Sequence, residues 1–354
     1  MTKSSKTILV APLNWGLGHA TRCIPIIKQL QLHKYNVLLG SDGPALMLLR
    51  KEFPQLPFVE LPDYQIVYPK SGALFKWKLL TALPQIQAAV SSEKKIIKKL
   101  VKAGRIHGII SDNRLGVRNK KVPSVFMTHQ LNVLSGNTSL FSSKVHQKFI
   151  KKFDQCWVPD AQKIPNLSGK LGHPKKRNFP VTYVGPLSRM KKEEVPIKYD
   201  ILALLSGPEP QRTLLEEKLM EVFIDQPKKV LLVRGVLEEE SRTSVHNNIT
   251  VVNFMQTKEL ERAINASELV VSRSGYTTIM DLAALEKEAY FIPTPGQYEQ
   301  KYLAKQLRQK GIVPSCRQDK FQLNKLAEVE FFKGLRSIKS EIDFGQLFSL
   351  FERK

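Results

Sequence analysis

The sequence predicts an α/β protein made of two doubly wound, Rossmann-like domains in tandem, with a cleft between them. Three observations predict it. Short apolar runs alternate with amphipathic segments along nearly all 354 residues, the pattern of parallel strands covered by helices on both faces. One polar, proline-bounded stretch interrupts that rhythm near the middle. At roughly 100–200 residues per domain, the chain has room for two cores.

In the first half, strand-like runs lie at 7–11, 36–40, 58–61, 107–111 and 124–127, with 155–158 and 181–184 closing the set. Helical patterns fall between them at 18–32, 43–53, 85–103 and 139–151. Residues 185–196 have little to bury, which sets a first domain at 1–188 and a linker at 189–198. The rhythm then restarts, with strands at 200–205, 229–234, 249–253, 269–272 and 289–293. The accompanying helices lie at 211–223, 257–266, 276–287 and 297–310, giving a second domain at 199–334. Apolar spacing at Leu335, Ile338, Ile342, Leu347, Leu350 and Phe351 predicts a closing helix within 335–354.

Composition narrows the function classes. Hydrophobic residues make up 42% and charged residues 25%, which excludes wholesale disorder. No apolar run is long enough for a membrane span, and the N-terminal one is too short and too soon broken for a signal peptide. Cys23, Cys156 and Cys316 are far apart with no C-x-x-C, which argues against a disulfide framework or zinc site and fits a reducing cytoplasm. The charge is uneven: residues 1–190 hold 30 basic and 8 acidic side chains, residues 191–354 hold 25 and 24. A field confined to one half implies an anionic partner there, nucleic acid or a membrane surface. Leu74, Phe75, Trp77, Leu79 and Leu80, interleaved with Lys70, Lys76 and Lys78 and followed by lysines up to Arg105, suit an anionic membrane interface. No helix-turn-helix, zinc-finger or RNP pattern supports nucleic acid. Core packing beneath a solvated lysine face is the plainer alternative.

Four loops carry candidate chemistry. After the first strand comes Asn14-Trp15-Gly16-Leu17-Gly18-His19, where glycines admit a ligand close to the backbone and His19 starts a helix. The macrodipole disfavours a charged imidazole there, and a neutral one can accept a proton from a hydroxyl. Arg22 stands where a dinucleotide fingerprint needs a small residue, which disfavours NAD. Asp112, at the end of another strand, competes with His19 as base, or merely caps a turn. In the second domain, Ser206-Gly207 precedes a helix bearing Arg212, a phosphate loop or an ordinary turn with a surface arginine. The segment 269–311 is the most informative: a buried strand ends in Ser272-Arg273-Ser274-Gly275, a helix carries Asp281, and the next strand leads through Pro293 to Gln300. Backbone donors there suit a diphosphate, and a carboxylate can accept two sugar hydroxyls.

These motifs resemble the GT-B glycosyltransferases, and most closely the family-28-like group that includes the bacterial enzyme adding N-acetylglucosamine to the lipid-linked peptidoglycan precursor. The matching residues are Gly16-Leu17-Gly18-His19 with Pro25, Ser206-Gly207, Arg273-Ser274-Gly275, Asp281, Pro293, and Gln300 with Ala304. The resemblance implies that Gly207, Arg212, Met255, Arg273, Ser274, Gly275 and Asp281 bind the nucleotide, with Asp281 standing where relatives usually carry glutamate. It implies that Gly16, Gly18, His129, Asn132 and Gln300 face sugar and acceptor, and that His19 or Asp112 is the base. It further implies an inverting transfer of an N-acetylhexosamine or hexose from a UDP-sugar to an acceptor hydroxyl, lipid-linked given the basic first domain, at the inner face of the membrane. No cofactor or metal is expected, since no D-x-D occurs. A nucleotide-sugar epimerase or hydrolase of the same fold, and a non-catalytic basic binding protein, are the alternatives. Pro208 and Pro210 depart from the small residues usual in the phosphate loop.

Overall fold

The computed structural model describes residues 5–64, 83–134, 139–174, 177–207, 209–236, 238–338 and 342–352. The apolar-and-lysine segment 70–80 therefore lies outside the described residues, as does Pro208. The chain forms two compact units. The first takes the described residues up to Leu187 together with the C-terminal segment, and the second runs Ser188–Ile338.

In chain order the first unit contains β1 (Thr7–Pro12), α1 (Gly18–Leu32), β2 (Asn36–Ser41), α2 (Gly43–Glu52), β3 (Phe58–Glu60), α3 (Leu83–Lys102), β4 (Gly108–Asp112), β5 (Ser124–Met127), α4 (Ser139–Ile150), β6 (Gln155–Val158) and β7 (Val181–Tyr183). The sheet order is β3-β2-β1-β4-β5-β6-β7, and every neighbouring pair is parallel. β1, β4 and β5 are buried almost throughout, as their unbroken apolar runs require. α1 buries Ala20, Cys23, Ile24, Ile27 and Leu30, a stripe at helical spacing. α3 exposes Lys94, Lys95, Lys98, Lys99 and Lys102 and turns Glu93 inward. Strand order reverses between β1 and β4, with Pro12 beside Asp112 in register. Open α/β sheets bind ligands at the carboxyl ends of strands flanking such a reversal.

The second unit contains β8 (Tyr199–Leu204), α5 (Gln211–Phe223), β9 (Val230–Val233), β10 (Thr243–His246), β11 (Ile249–Val252), α6 (Thr257–Asn265), β12 (Ser267–Ser272), α7 (Tyr276–Ala284), β13 (Glu288–Phe291) and α8 (Tyr298–Gln309). Its sheet runs β10-β11-β9-β8-β12-β13, with β10 antiparallel to β11 and the remaining pairs parallel. Ile201, Leu215, Leu219, Phe223, Tyr290 and Phe321 centre its core. The reversal here falls between β8 and β12, whose carboxyl ends lead into Gly207 and Gly275.

Two features depart from the sequence expectations. Residues 189–198, expected as a linker with little to bury, bond to α6: Arg189 donates to Thr257 Oγ1 (2.8 Å), Lys191 N to Glu261 (2.6 Å), and Asn265 Nδ2 to Lys191 O (3.0 Å). The closing helix over 335–354 shrinks to α9 (Phe344–Phe348) and a 3-10 turn at Ser349–Glu352. Asp343 caps that late start by accepting from Gln346 N at 2.9 Å. Of the residues in that apolar spacing, Leu335 and Phe351 are buried and Ile338, Ile342, Leu347 and Leu350 are half-buried. Phe348 and Phe351 pack against Trp157 and Tyr35 of the first unit, and Lys6 Nζ donates to Phe351 O at 2.7 Å. Gly108 makes room: a Cβ there would sit 2.5 Å from the Phe351 ring.

Candidate active site

His19 and Arg22 are one turn apart on α1, so both side chains share a face at the carboxyl ends of β1 and β4. Asp112 closes β4 beneath them and is wholly buried. His19 Nδ1 lies 3.0 Å from Asp112 Oδ1. Arg22, 1% exposed, donates through Nε and a terminal nitrogen to the two oxygens of Asp112. Its other terminal nitrogen lies 2.8 Å from Nδ1 of His129, in the loop after β5.

Charge follows from this packing. Burial pushes the Asp112 pKa up, but Arg22 and His19 outweigh it and bring the carboxyl down to about 2. It is ionised at neutral pH. Burial lowers the His19 pKa, Asp112 opposes that, and Arg22 adds to the lowering. Burial and the neighbouring His129 bring His146, on α4, down to about 4. The ring of His19 is therefore neutral at pH 7, beside a fixed anion. Both oxygens of Asp112, expected as a rival base, are engaged by Arg22, and one of them also meets His19 Nδ1.

A second knot steadies the loops around this cluster. The buried Arg114 donates to Pro12 O (2.9 Å), Pro62 O (3.0 Å), Glu93 (2.8 Å) and Asp42. Asp42 accepts from Asn14 Nδ2 at 3.0 Å, which ties down the glycine loop that precedes His19. Gly16 holds φ +79° with open space about it, the left-handed region that favours glycine. Asn132 does not reach this group: its amide donates to Lys170 O at 2.7 Å and fixes the loop after β6.

In the second unit, Gly275 is the N-cap of α7, and a Cβ there would meet only Thr278 Oγ1 at 3.8 Å. The approach to this helix N-terminus is uncrowded. Ser274 Oγ donates to Gln300 O (2.8 Å), and Gln300 Oε1 accepts from Thr294 N (2.8 Å). The loops after β12 and β13 are thus stitched together, with Ser274 and Gln300 adjacent. Gly207 takes φ +105° at the end of β8. Asp281, 7% exposed, accepts from Ser188 Oγ at 2.7 Å. Burial raises its pKa, with Arg189 opposing.

Two arginines expected at the nucleotide are otherwise employed. Arg273 is wholly buried and donates to Ile292 O (3.1 Å), Gln211 O (2.7 Å) and Gln318 Oε1 (2.8 Å). It braces β12 against α5 and β13. Arg212 bonds Glu209 (2.6 Å), Glu216 (2.5 Å) and Thr213 Oγ1 (2.8 Å), so its charge is met within its own helix turn. Met255 is half-buried just after Asn253, whose side chain holds the 240–242 loop through Glu240 O (2.9 Å) and Arg242 N (2.7 Å). An open depression of about 610 Å³ lies at the opposite, amino end of this sheet, lined by Tyr199, Asp200, Lys229 and Glu268. It is remote from these loops. Sequence reasoning missed Arg22 as a site residue; its only signal was the three-residue spacing from His19.

The fold is that of the GT-B glycosyltransferases, and the chain is also similar in sequence to glycosyltransferases. Residues 210–330 match the glycosyltransferase family 28 C-terminal domain. An uncharacterized glycosyltransferase of Methanosarcina acetivorans is 23% identical over 84% of this chain and 82% of its own. The UDP-N-acetylglucosamine--N-acetylmuramyl-(pentapeptide) pyrophosphoryl-undecaprenol N-acetylglucosamine transferase of Pasteurella multocida is 23% identical over 93% of this chain and 89% of its own. Among solved structures, the kitacinnamycin glycosyltransferase superposes with TM-score 0.61 at 13% identity, covering 92% of this chain and 89% of that one. Acinetobacter baumannii MurG superposes with TM-score 0.51 at 16% identity, covering 93% and 92%. Among the described residues, no helix is long and apolar enough to cross a membrane.

Proposed function

We propose that the protein transfers a hexosyl group, an N-acetylhexosamine or a hexose, from a UDP-sugar to an acceptor hydroxyl with inversion and without a metal. The observation that carries this reading is the neutral His19 ring set against the ionised Asp112 at the sheet reversal. His19 Nε2 takes the acceptor's proton as its oxygen attacks the anomeric carbon. The bond from that carbon to the diphosphate breaks on the opposite face, and the departing charge is met by backbone N–H groups at the start of α7. Ser274, Gly275, Gln300 and Asp281 form the donor side, with Asp281 accepting the ribose hydroxyls. The UDP-sugar and a lipid-linked acceptor are supported by the activity of the similar Pasteurella multocida transferase. The excess positive charge of residues 1–190 and the exposed lysines of α3 support a peripheral seat on an anionic membrane face.

Thermal shift with UDP-, GDP- and dTDP-sugars identifies the donor, because a ligand that binds only the folded chain raises its stability. His19→Ala then lowers turnover roughly 10²–10⁴-fold while the donor-induced shift persists. Wild-type turnover in His19→Ala would remove the base assignment. Stoichiometric UDP release with no acceptor present would favour hydrolysis.

A further inference from the structure

Arg22 touches Asp112, His19 and His129 at once. Nε and one terminal nitrogen grip the two oxygens of Asp112. The same terminal nitrogen lies 2.8 Å from His19 Nδ1, and the other lies 2.8 Å from His129 Nδ1. A guanidinium only donates. His129 Nδ1 must therefore offer it a lone pair, which puts the ring proton of His129 on Nε2. His19 Nδ1 sits between this donor and the Asp112 oxygen 3.0 Å away. Left bare, it would set its lone pair against an ionised carboxylate. Protonated, it makes a charge-assisted bond to that carboxylate. The terminal nitrogen of Arg22 beside it, 2.8 Å away, would by itself call for a lone pair on Nδ1, but that nitrogen already has the carboxylate as its acceptor, so the ionised carboxylate decides the tautomer.

We propose that Arg22 is a positioning residue for the transfer: by clamping Asp112 against the Nδ1 edge of His19 and taking His129 by its own Nδ1, one guanidinium sets opposite tautomers on two imidazoles and leaves Nε2 of His19 to accept the substrate's proton. This rests on His19 being the base. The groups around that ring are Arg22 from α1, Asp112 from the end of β4 and His129 from the loop after β5; the Cys23 thiol, also on α1, lies 3.8 Å from Asp112. His146 on α4 acts at one remove, on His129. Asp112 favours the protonated ring and Arg22 disfavours it. A merely structural arginine would still shift the titration of His19 through its charge, but it would not set the tautomers of the two rings or displace the acid limb together with a fall in turnover.

The test uses the intact protein labelled with ¹⁵N-histidine. In the wild type, long-range ¹⁵N–¹H spectra should place the proton of neutral His19 on Nδ1 and that of His129 on Nε2. An Nε2–H tautomer at His19, or an Nδ1–H at His129, overturns the proposal without any variant having to fold. Arg22→Gln should move the titration of His19 to higher pH and Asp112→Asn should move it lower; shifts in one direction, or none, also overturn it. UDP release from UDP-N-acetylglucosamine in the presence of acceptor should fall about 10²-fold in Arg22→Gln, as for a misplaced reacting group, with its acid limb displaced upward and KM for the donor unchanged. Full turnover with an unmoved acid limb in Arg22→Gln overturns the role of Arg22 alone. Full turnover in His19→Ala overturns the base assignment instead, whatever Arg22 does.

Discussion

Replacing Arg273 by methionine separates a brace from a phosphate ligand. The guanidinium is wholly buried and donates to two main-chain oxygens and one side-chain amide oxygen. Methionine fills a similar volume but donates nothing. The oxygens of Ile292 and Gln211 are left without that partner, at about 1–3 kcal/mol each. Gln318 is half-buried and can turn to water. Against this, the variant no longer buries a charge, and burial has already lowered the guanidinium pKa to about 9. The net destabilisation comes to about 2–4 kcal/mol. A unit of this size loses about 2–4 °C in Tm per kcal/mol, so calorimetry of the intact protein should show the second unit melting roughly 4–16 °C lower. UDP affinity, measured well below the transition, should change only a few-fold. An unaltered Tm with UDP affinity reduced about 30-fold, near 2 kcal/mol, would refute the brace and return Arg273 to the nucleotide.

Three further outcomes follow from the same geometry. Asp281→Ala should weaken UDP binding about tenfold or more in calorimetry, as expected for a lost pair of charge-assisted bonds, whereas Ser188→Ala should not; unchanged affinity removes Asp281 from the site. Turnover should persist in excess EDTA, because main-chain donors meet the diphosphate charge; complete loss restored by magnesium or manganese contradicts this. The third concerns pH. The folded-state pKa of Asp112 lies below its unfolded value, so its stabilisation is present above about pH 4 and is lost as the pH falls towards 2. Asp42 and Glu93, whose pKa values burial raises, act with the opposite sign and favour the folded chain as the pH drops. Urea unfolding from pH 5 to pH 2 should therefore show a slope that flattens in Asp112→Asn; an identical slope in both proteins excludes Asp112 as its source.

Most strands were legible because buried parallel strands must be apolar throughout, as in the runs at 8–11 and 230–233. β10 was not, because Thr243-Ser244-Val245-His246 is an exposed edge whose pairing with β11 leaves no apolar trace. The 3-10 turns at Gln318–Lys320 and Leu323–Phe331 were missed for a related reason: they bury no residue fully and repeat no helical stripe. At the site, His19, Ser274, Gly275 and Gln300 stood out because strand-to-helix turns with glycine or hydroxyl residues carry a local signal. Arg22 did not, since its meaning comes from Asp112, ninety residues away in sequence and adjacent only through the parallel pairing of β1 with β4. Arg273 and Arg212 misled for the converse reason. A cation beside a phosphate-like turn looks available until the carbonyls and carboxylates that consume it are in view.

The C-terminal segment has a consequence for how the protein is made. Phe348 and Phe351 fill space beneath β1, β4 and β6 of the first unit, and burying each contributes about 1.5–3 kcal/mol. The ribosome delivers these residues after all of Ser188–Ile338. As the chain emerges, the first unit waits with an uncovered apolar floor until Ser188–Ile338, which makes up the described part of the second unit, has been synthesised. The half synthesised first is thus the half completed last, and through that interval it is the nascent segment most exposed to aggregation and most in want of a chaperone.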